Sequence, residues 1–347
     1  MEVCILEIGI IGLPCSGKST LFEAMTGFHS RNLHGETCIR SQAAVPDGRF
    51  ECLVDIFKPR KISPAQIPFI DCHISGDKSL EGLRQAMSRA DAHLHVVDAF
   101  SALGPSEIRA RYQKEVEKLL LSDLMVVEKR MEKLDHQMKK SFQAIDAQQL
   151  ATLPLIKAHL EAGFPLRSYS LTSDEQTALK GFSFWTIRPE LVVINTGEGD
   201  DGMTYGLDDV TDGTPVLTVC GEIEAEIAAM PFEERLAYLT AMNIEEPAVH
   251  RVIRSAFNLT GRITYFTVGE DEVKAWVIPE GSTAPRAAAA IHQDFERGFI
   301  RAEVISYNDF MSYGKTYAGV KAAGKIRLEG KDYIVQDGDI INFRFNV

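Results

Sequence analysis

Three regimes of hydrophobic and polar patterning follow one another along the chain. The first is a set of short apolar runs closed by polar loops. Ile5-Leu6-Glu7-Ile8-Gly9-Ile10-Ile11 is one; Ile67-Pro68-Phe69-Ile70-Asp71, Ala92-His93-Leu94-His95-Val96-Val97-Asp98, Leu191-Val192-Val193-Ile194-Asn195 and Val216-Leu217-Thr218-Val219-Cys220 are the others. Runs this short and this apolar predict buried strands of a parallel sheet. Thr20-Leu21-Phe22-Glu23-Ala24-Met25 reads as the first turns of a helix, and the polar residues 28–41 show no periodicity.

The second regime begins near Glu107. Leu120, Leu124, Val127, Met131, Leu134 and Met138 are spaced 4-3-4-3-4, a heptad seam on a long helix. A return arm runs through Leu150, Leu153, Ile156 and Leu160 and ends before Gly163. The pair predicts an antiparallel helical hairpin with a coiled-coil face. The third regime starts after Glu270. An extended stretch, a helix-like segment at 286–293 and strands broken by Glu329-Gly330-Lys331-Asp332 and Gln336-Asp337-Gly338-Asp339 predict a small β-grasp-like module. It carries no catalytic constellation, so an interaction role is its default.

These regimes predict an α/β chain. A nucleotide-binding domain at 1–104 and 183–274 is interrupted by a helical insert at 105–182 and followed by a β-grasp-like domain at 275–347. A length of 347 residues has room for two or three domains. No segment has the long uncharged apolar run of a membrane helix, and the first residues enter a strand almost at once, without a signal-peptide pattern. The six cysteines show no close metal-ligand spacing and read as reduced cytosolic thiols, which points to a cytoplasmic protein. Net charge is −12. The insert has 12 basic against 11 acidic residues and the C-terminal domain nine of each, so the remainder carries 16 against 29. A polyanionic partner would avoid that remainder and meet the two appendages.

The chemistry concentrates at Gly12-Leu13-Pro14-Cys15-Ser16-Gly17-Lys18-Ser19, which fits G-x-x-x-x-G-K-[ST] between a strand and a helix. Glycines let successive N–H groups point inward, and the helix dipole adds positive potential, so the loop is an anion site. Gly12, Pro14, Cys15, Ser16, Gly17, Lys18, Ser19 and Thr20 are the phosphate-site candidates. Lys18 would reach the outer phosphates and is the catalytic candidate; the Ser19 hydroxyl would ligate Mg²⁺. Asp71, closing an apolar strand, is the candidate Mg²⁺ carboxylate. Thr37 is either the second Mg²⁺ hydroxyl or a solvated loop residue. His73 is either a base or incidental, and Asp98 either a site residue or the cap of the turn after its strand. Guanine-selective proteins carry N-K-x-D at the base loop; here it reads Asn195-Thr196-Gly197-Glu198, without the lysine and with a longer acid. Asn195, Glu198 and Cys220 are the candidates at the base end.

Several runs resemble the YchF-type nucleotide hydrolases, a branch of the Obg-related translation-factor GTPases. Gly9-Ile10-Ile11-Gly12-Leu13-Pro14 with Gly17-Lys18-Ser19-Thr20-Leu21-Phe22 is similar to the family's first motif, and Asn195-x-x-Glu198 to its altered base loop. Ile291-His292-Gln293-Asp294-Phe295-Glu296-Arg297-Gly298-Phe299-Ile300-Arg301-Ala302-Glu303-Val304-Ile305 and Arg327-Leu328-Glu329-Gly330-Lys331-Asp332-Tyr333-Ile334-Val335-Gln336-Asp337-Gly338-Asp339 are the most specific stretches. The resemblance implies a Ras-like domain, a coiled-coil hairpin and a C-terminal TGS domain. It also implies ATP bound in preference to GTP, slow hydrolysis with Mg²⁺, and a monomer meeting the ribosome or its RNA through the insert and the TGS-like domain. The chain departs from the family's D-I-A-G-L segment, reading Asp71-Cys72-His73-Ile74-Ser75, and the segment after Phe100, which carries a histidine implicated in hydrolysis in relatives, is shortened. A slow ATPase is therefore the leading expectation and a nucleotide-binding regulator with a degraded switch the alternative. A small-molecule kinase is less favoured, since no acceptor pocket is visible in the sequence.

Overall fold

The structure is a computed structural model and describes residues 6–28, 38–72, 79–137, 144–199, 205, 207, 211 and 213–346. The strands are β1 (Ile8–Ile11), β2 (Cys38–Ala44), β3 (Lys61–Ser63), β4 (Gln66–Cys72), β5 (Ala92–Asp98), β6 (Glu190–Asn195), β7 (Val216–Val219), β8 (Arg262–Thr267), β9 (Glu272–Pro279), β10 (Phe299–Ser306), β11 (Arg327–Glu329) and β12 (Asp339–Phe345). The main helices are α1 (Lys18–Thr26), α2 (Gly48–Phe57), α3 (Ser79–Ala86), α4 (Pro105–Gln137), α5 (Ala144–Glu161), α6 (Ser173–Leu179), α7 (Gly221–Ala229), α8 (Phe232–Ala241), α9 (Ala248–Asn258) and α10 (Ala284–Ile291). The chain forms two compact units, residues 1–42 with 68–252 and residues 43–67 with 253–347.

The first unit holds a sheet in the order β2-β4-β1-β5-β6-β7. The β4–β1, β1–β5, β5–β6 and β6–β7 pairs are parallel. Every residue of β1 and β6 is buried, the pattern of strands covered on both faces. Register brings the carboxyl ends together: Ile10 pairs with Asp71, Asp98 with Asn195, and Asn195 with Val219. Ligands of open α/β sheets bind at that edge.

The heptad seam forms as expected. Leu120, Val127 and Leu134 on α4 are buried against Leu153, Ile156 and Leu160 on α5, with Leu124, Met131 and Leu150 at the margin. Met138 lies outside the described residues. One buried acid joins this hairpin to the sheet. Asp123, fully buried on α4, accepts hydrogen bonds from the Trp185 and Thr186 N–H groups, the Thr186 hydroxyl and Arg84 of α3, all between 2.8 and 2.9 Å.

In the second unit the order is β11-β10-β12-β8-β9-β3. Ala284, Ala287 and Ala288 of α10 pack on Tyr265, Ile278, Val304 and Ile341 of the sheet, a β-grasp arrangement. β8 and β9 belong to this sheet, so the unit begins upstream of the residue 275 suggested by patterning. It also draws in 43–67: Arg49 of α2 pairs with Asp337 at 2.7 Å, and Phe57 stacks on Phe310.

Two expectations are corrected. Residues 38–41, read as aperiodic, begin β2, in which only Ile39 and Ala43 are buried. The cysteines are not all reduced: Cys38 and Cys72 form a disulfide, because β2 and β4 are sheet neighbours although their cysteines are 34 residues apart. Cys15, Cys52 and Cys220 are free thiols.

A buried ionic cluster sits where β5 meets β6. Glu190 lies 2.6 Å from His95 Nδ1 and 2.5 Å from Arg167, while His93 faces Arg188 at 3.3 Å and the Trp185 ring. Burial opposes the Glu190 carboxylate, but the His95 hydrogen bond and the His95 and Arg167 charges prevail and hold its pKa at about 2. Burial drives His93 down to about 3, and the Arg188 charge adds to it. Both groups bind protons more readily when unfolded. Their stabilisation is complete above the unfolded values, about 6.5 for histidine and about 4.3 for glutamate, and is lost as pH falls through the native ones.

Two outcomes are expected. The urea midpoint falls on acidification, through His93 from about pH 6.5 and through Glu190 from about pH 4.3, and His93→Gln flattens the upper limb; a wild-type midpoint constant from pH 7 to 4 contradicts this. Asp123→Ala, which strands Arg84 and two backbone donors, costs about 3–5 kcal/mol in urea unfolding, and a loss below about 1 kcal/mol removes Asp123 as the joint between hairpin and sheet.

Candidate nucleotide site

β1 is too short to do more than deliver the chain to the sheet edge, where it turns through residues 12–17 into α1. Gly12 sits at φ 144°, and a Cβ there would lie 2.3 Å from the Val96 carbonyl. Gly17 sits at φ 90°, and a Cβ there would lie 2.1 Å from Asn195 Nδ2. Both positions need glycine. Cys15 takes the left-handed conformation, φ 62°, with a side chain and is exposed beside Pro14. α1 has no side-chain cap at Gly17 and no acid in its first turn. The helix dipole therefore favours an anion at this end.

Lys18 begins α1 and folds back over the loop, donating to the Gly12 and Leu13 carbonyls at 3.1 and 2.6 Å. Burial lowers its proton affinity, and the charges of Asp71 and Glu115 oppose that. The Ser16 hydroxyl is buried without a hydrogen-bond partner among the described residues. Ser19 is half-buried and Thr20 exposed on the same first turn. Asp71 is completely buried at the end of β4, level with Ile10 of β1. Thr37, His73, Ile74 and Ser75 lie outside the described residues. Asp98 behaves as a cap: it accepts from the Ser101 N–H and hydroxyl at 3.1 and 2.6 Å and pairs with Arg111.

The base-loop candidates divide in two. Asn195 is buried and structural in its contacts. Its Nδ2 donates to the Ser16 carbonyl at 3.0 Å, and its Oδ1 accepts from the Gly221 N–H at 2.9 Å. Gly221 tolerates this only without a Cβ, which would lie 2.9 Å from Asn195 Oδ1. Thr196 is also buried, donating from its N–H to the Val219 carbonyl at 2.9 Å. Glu198 stands exposed in the turn after β6, and Cys220 is half-buried ahead of α7.

A cavity of about 700 Å³ opens along the loop. Besides residues 12 and 14–20 it is lined by Phe100, Trp185, and Glu115 and Lys118 of α4. Sequence reasoning missed these four. For Glu115 a signal existed: Ile108, Tyr112, Glu115 and Leu119 are spaced 4-3-4, which puts an acid on an otherwise apolar helix face. Phe100 and Trp185 had none, since only the fold brings them to the loop.

Asn195→Ala frees the Ser16 carbonyl and the Gly221 N–H together. We expect a loss of about 1–3 kcal/mol in urea unfolding and, because the loop is then less ordered before a ligand arrives, weaker ATP binding by calorimetry. Unchanged stability and affinity would show that the loop holds itself.

Comparisons with known proteins agree with this geometry. A family model described as a 50S ribosome-binding GTPase matches residues 7–149, and one described as YchF-GTPase_C, a protein of unknown function, matches residues 262–346. The ribosome-binding ATPase YchF of Pasteurella multocida is 41% identical, covering 98% of this chain and 99% of the relative. That of Bacillus subtilis is 36% identical over 99% and 100%. The solved structure of the Schizosaccharomyces pombe YchF GTPase superposes with a TM-score of 0.81 at 26% identity, covering 98% of both chains. Similarity of this degree extends from the phosphate loop to the last strand, and the chain belongs to the YchF family.

Proposed function

We propose that this protein binds ATP with Mg²⁺ in the cavity of the 12–20 loop, hydrolyses it slowly, and does so in association with the ribosome. The observation that carries the reading is the N-terminus of α1, without a side-chain cap, with Lys18 folded onto the loop's own carbonyls and the Ser16 hydroxyl buried without a partner among the described residues. Phosphate oxygens would replace the Gly12 and Leu13 carbonyls as acceptors for Lys18, while the loop N–H groups take the remaining charge. Lys18 then stabilises the transferring phosphoryl group. Pro14, Cys15 and Thr20 border the phosphates.

The residues present fit a magnesium ion. Among the described residues no group of three or more His, Cys, Asp or Glu could hold a metal alone. One hydroxyl, from Ser19, and one carboxylate, from Asp71, suit a cation that takes its other ligands from phosphate and water. Thr37 is the candidate for the second hydroxyl. When bound, Mg²⁺ neutralises charge on the outer phosphate oxygens.

Preference for ATP rests on the base loop. Thr196, buried against β7, cannot lie along a purine ring as a lysine does. Glu198 supplies an acceptor of altered length for guanine's two donors, and adenine has no N1–H to offer it. The relatives named above as ATPases favour this reading, and favour hydrolysis over a binding-only regulator. The insert and the C-terminal domain are the proposed ribosome-facing parts. Leu121 and Met125 of α4 and Leu155 of α5 stay exposed on the hairpin, and both regions lack the acidic excess found elsewhere. We place the protein in the cytoplasm, on the ribosome-binding relatives rather than on its cysteines, and as a monomer.

Calorimetry with ATP and GTP side by side tests the site. Wild type is expected to bind ATP more tightly, and Lys18→Ala to lose binding while keeping its far-UV circular dichroism, because Lys18 meets the loop and not a core. Equal ATP affinity in Lys18→Ala removes the assignment; tighter GTP than ATP binding shows that Glu198 acts as the usual aspartate does.

A further inference from the structure

α4 turns one face to the interior of the first unit. Ile108, Tyr112, Glu115, Leu119 and Asp123 succeed one another on it at helical spacing, and all five are buried. Two are acids, and a buried acid on an apolar face requires partners. The partners of Asp123 are fixed protein donors, as described above. Those of Glu115 differ. Its hydrogen bond comes from Lys118, one turn on, at 3.1 Å, and both side chains line the cavity of the phosphate loop. Among the described residues lining that cavity Glu115 is the one carboxylate. Its charge also acts on Lys18.

The chemistry needs such a group. Hydrolysis requires a residue that orients the attacking water. The chain has Ile74 and Ser75 in its switch segment, where no glutamine stands to position a water, and His73 of that segment lies outside the described residues. Among the described residues, and apart from the loop itself, the polar side chains offered to the cavity are Glu115, Lys118 and Trp185. Of these only a carboxylate can accept a proton from water at neutral pH.

We propose that Glu115 is a catalytic residue that orients the attacking water and accepts its proton, with Lys118 holding the carboxylate in place. The water oxygen bonds to the γ-phosphorus, the bridging oxygen leaves with ADP, and the proton on Glu115 passes to the released phosphate. The inference rests on the ATP hydrolysis proposed above. It also makes the long arm of the hairpin part of the hydrolytic site, so that whatever displaces α4 changes the rate.

Single-turnover hydrolysis of Mg·ATP, with affinity measured on the same samples, tests the assignment. Glu115→Gln keeps shape and removes the base. It should slow hydrolysis about 100-fold with ATP affinity unchanged, while Glu117→Gln, an exposed neighbour on α4, keeps the wild-type rate. Glu115→Gln hydrolysing at the wild-type rate, or losing rate only through weaker binding, overturns the proposal. Should that variant fail to bind ATP, Glu115→Asp takes its place; the shorter side chain draws the carboxylate back, so the rate falls with affinity kept, and a wild-type rate overturns the proposal equally. Wild-type protein that binds ATP but leaves it intact overturns the hydrolysis itself, and this inference with it.

Discussion

The Asn195 side chain holds the nucleotide site together. One amide ties the phosphate loop, through the Ser16 carbonyl, to the start of α7, through the Gly221 N–H. Two glycines, Gly17 and Gly221, exist in part to let it approach. Its backbone carbonyl accepts from the Ala99 and Phe100 N–H groups as well. The ends of β1, β5, β6 and β7 thereby meet at one residue. A buried amide bonded at both ends orders its surroundings, because each bond lost inside costs more than it would in water. The loop can then present its N–H groups to phosphate without first being ordered by it.

α4 carries a second set of constraints. Its outer half is a coiled-coil arm, and its inner half is a wall of the first unit. Ile108 and Tyr112 pack with Val97, Val192 and Ile194 under the sheet, and Leu119 with Ile11, Ile70 and Trp185 beside the loop. Asp123 clamps the chain returning from the hairpin at Trp185 and Thr186, which sets the direction in which β6 enters the sheet. A rigid helix shared by an arm and the phosphate-loop cavity is a physical route by which contact at one end can be felt at the other.

The disulfide adds a local constraint at the same edge. Cys72 follows Asp71 directly, and its bond to Cys38 holds the end of β4 to the edge strand β2. The carboxylate proposed for Mg²⁺ is thus anchored on both sides, by the β1 ladder and by a covalent link.

Much was legible in the sequence because it is local. Short apolar runs became the parallel strands, the 4-3-4 seam became the hairpin, and G-x-x-x-x-G-K-S became a loop ending on a helix N-terminus, since each depends on residues within one or two turns of each other. The altered base loop was legible as a motif, but the two roles within it were not: Asn195 faces the phosphate loop and Glu198 faces solvent. What the tertiary structure alone decided is long-range. Residues 43–67 join a sheet built from the other end of the chain, Cys38 meets Cys72 across a strand pair, and Glu115, which the helix pattern marks only as an acid on an apolar face, is brought to the phosphate cavity. Pairings between distant segments leave no periodic trace. They are selected by the shape and burial of the assembled sheet, which no window of sequence contains.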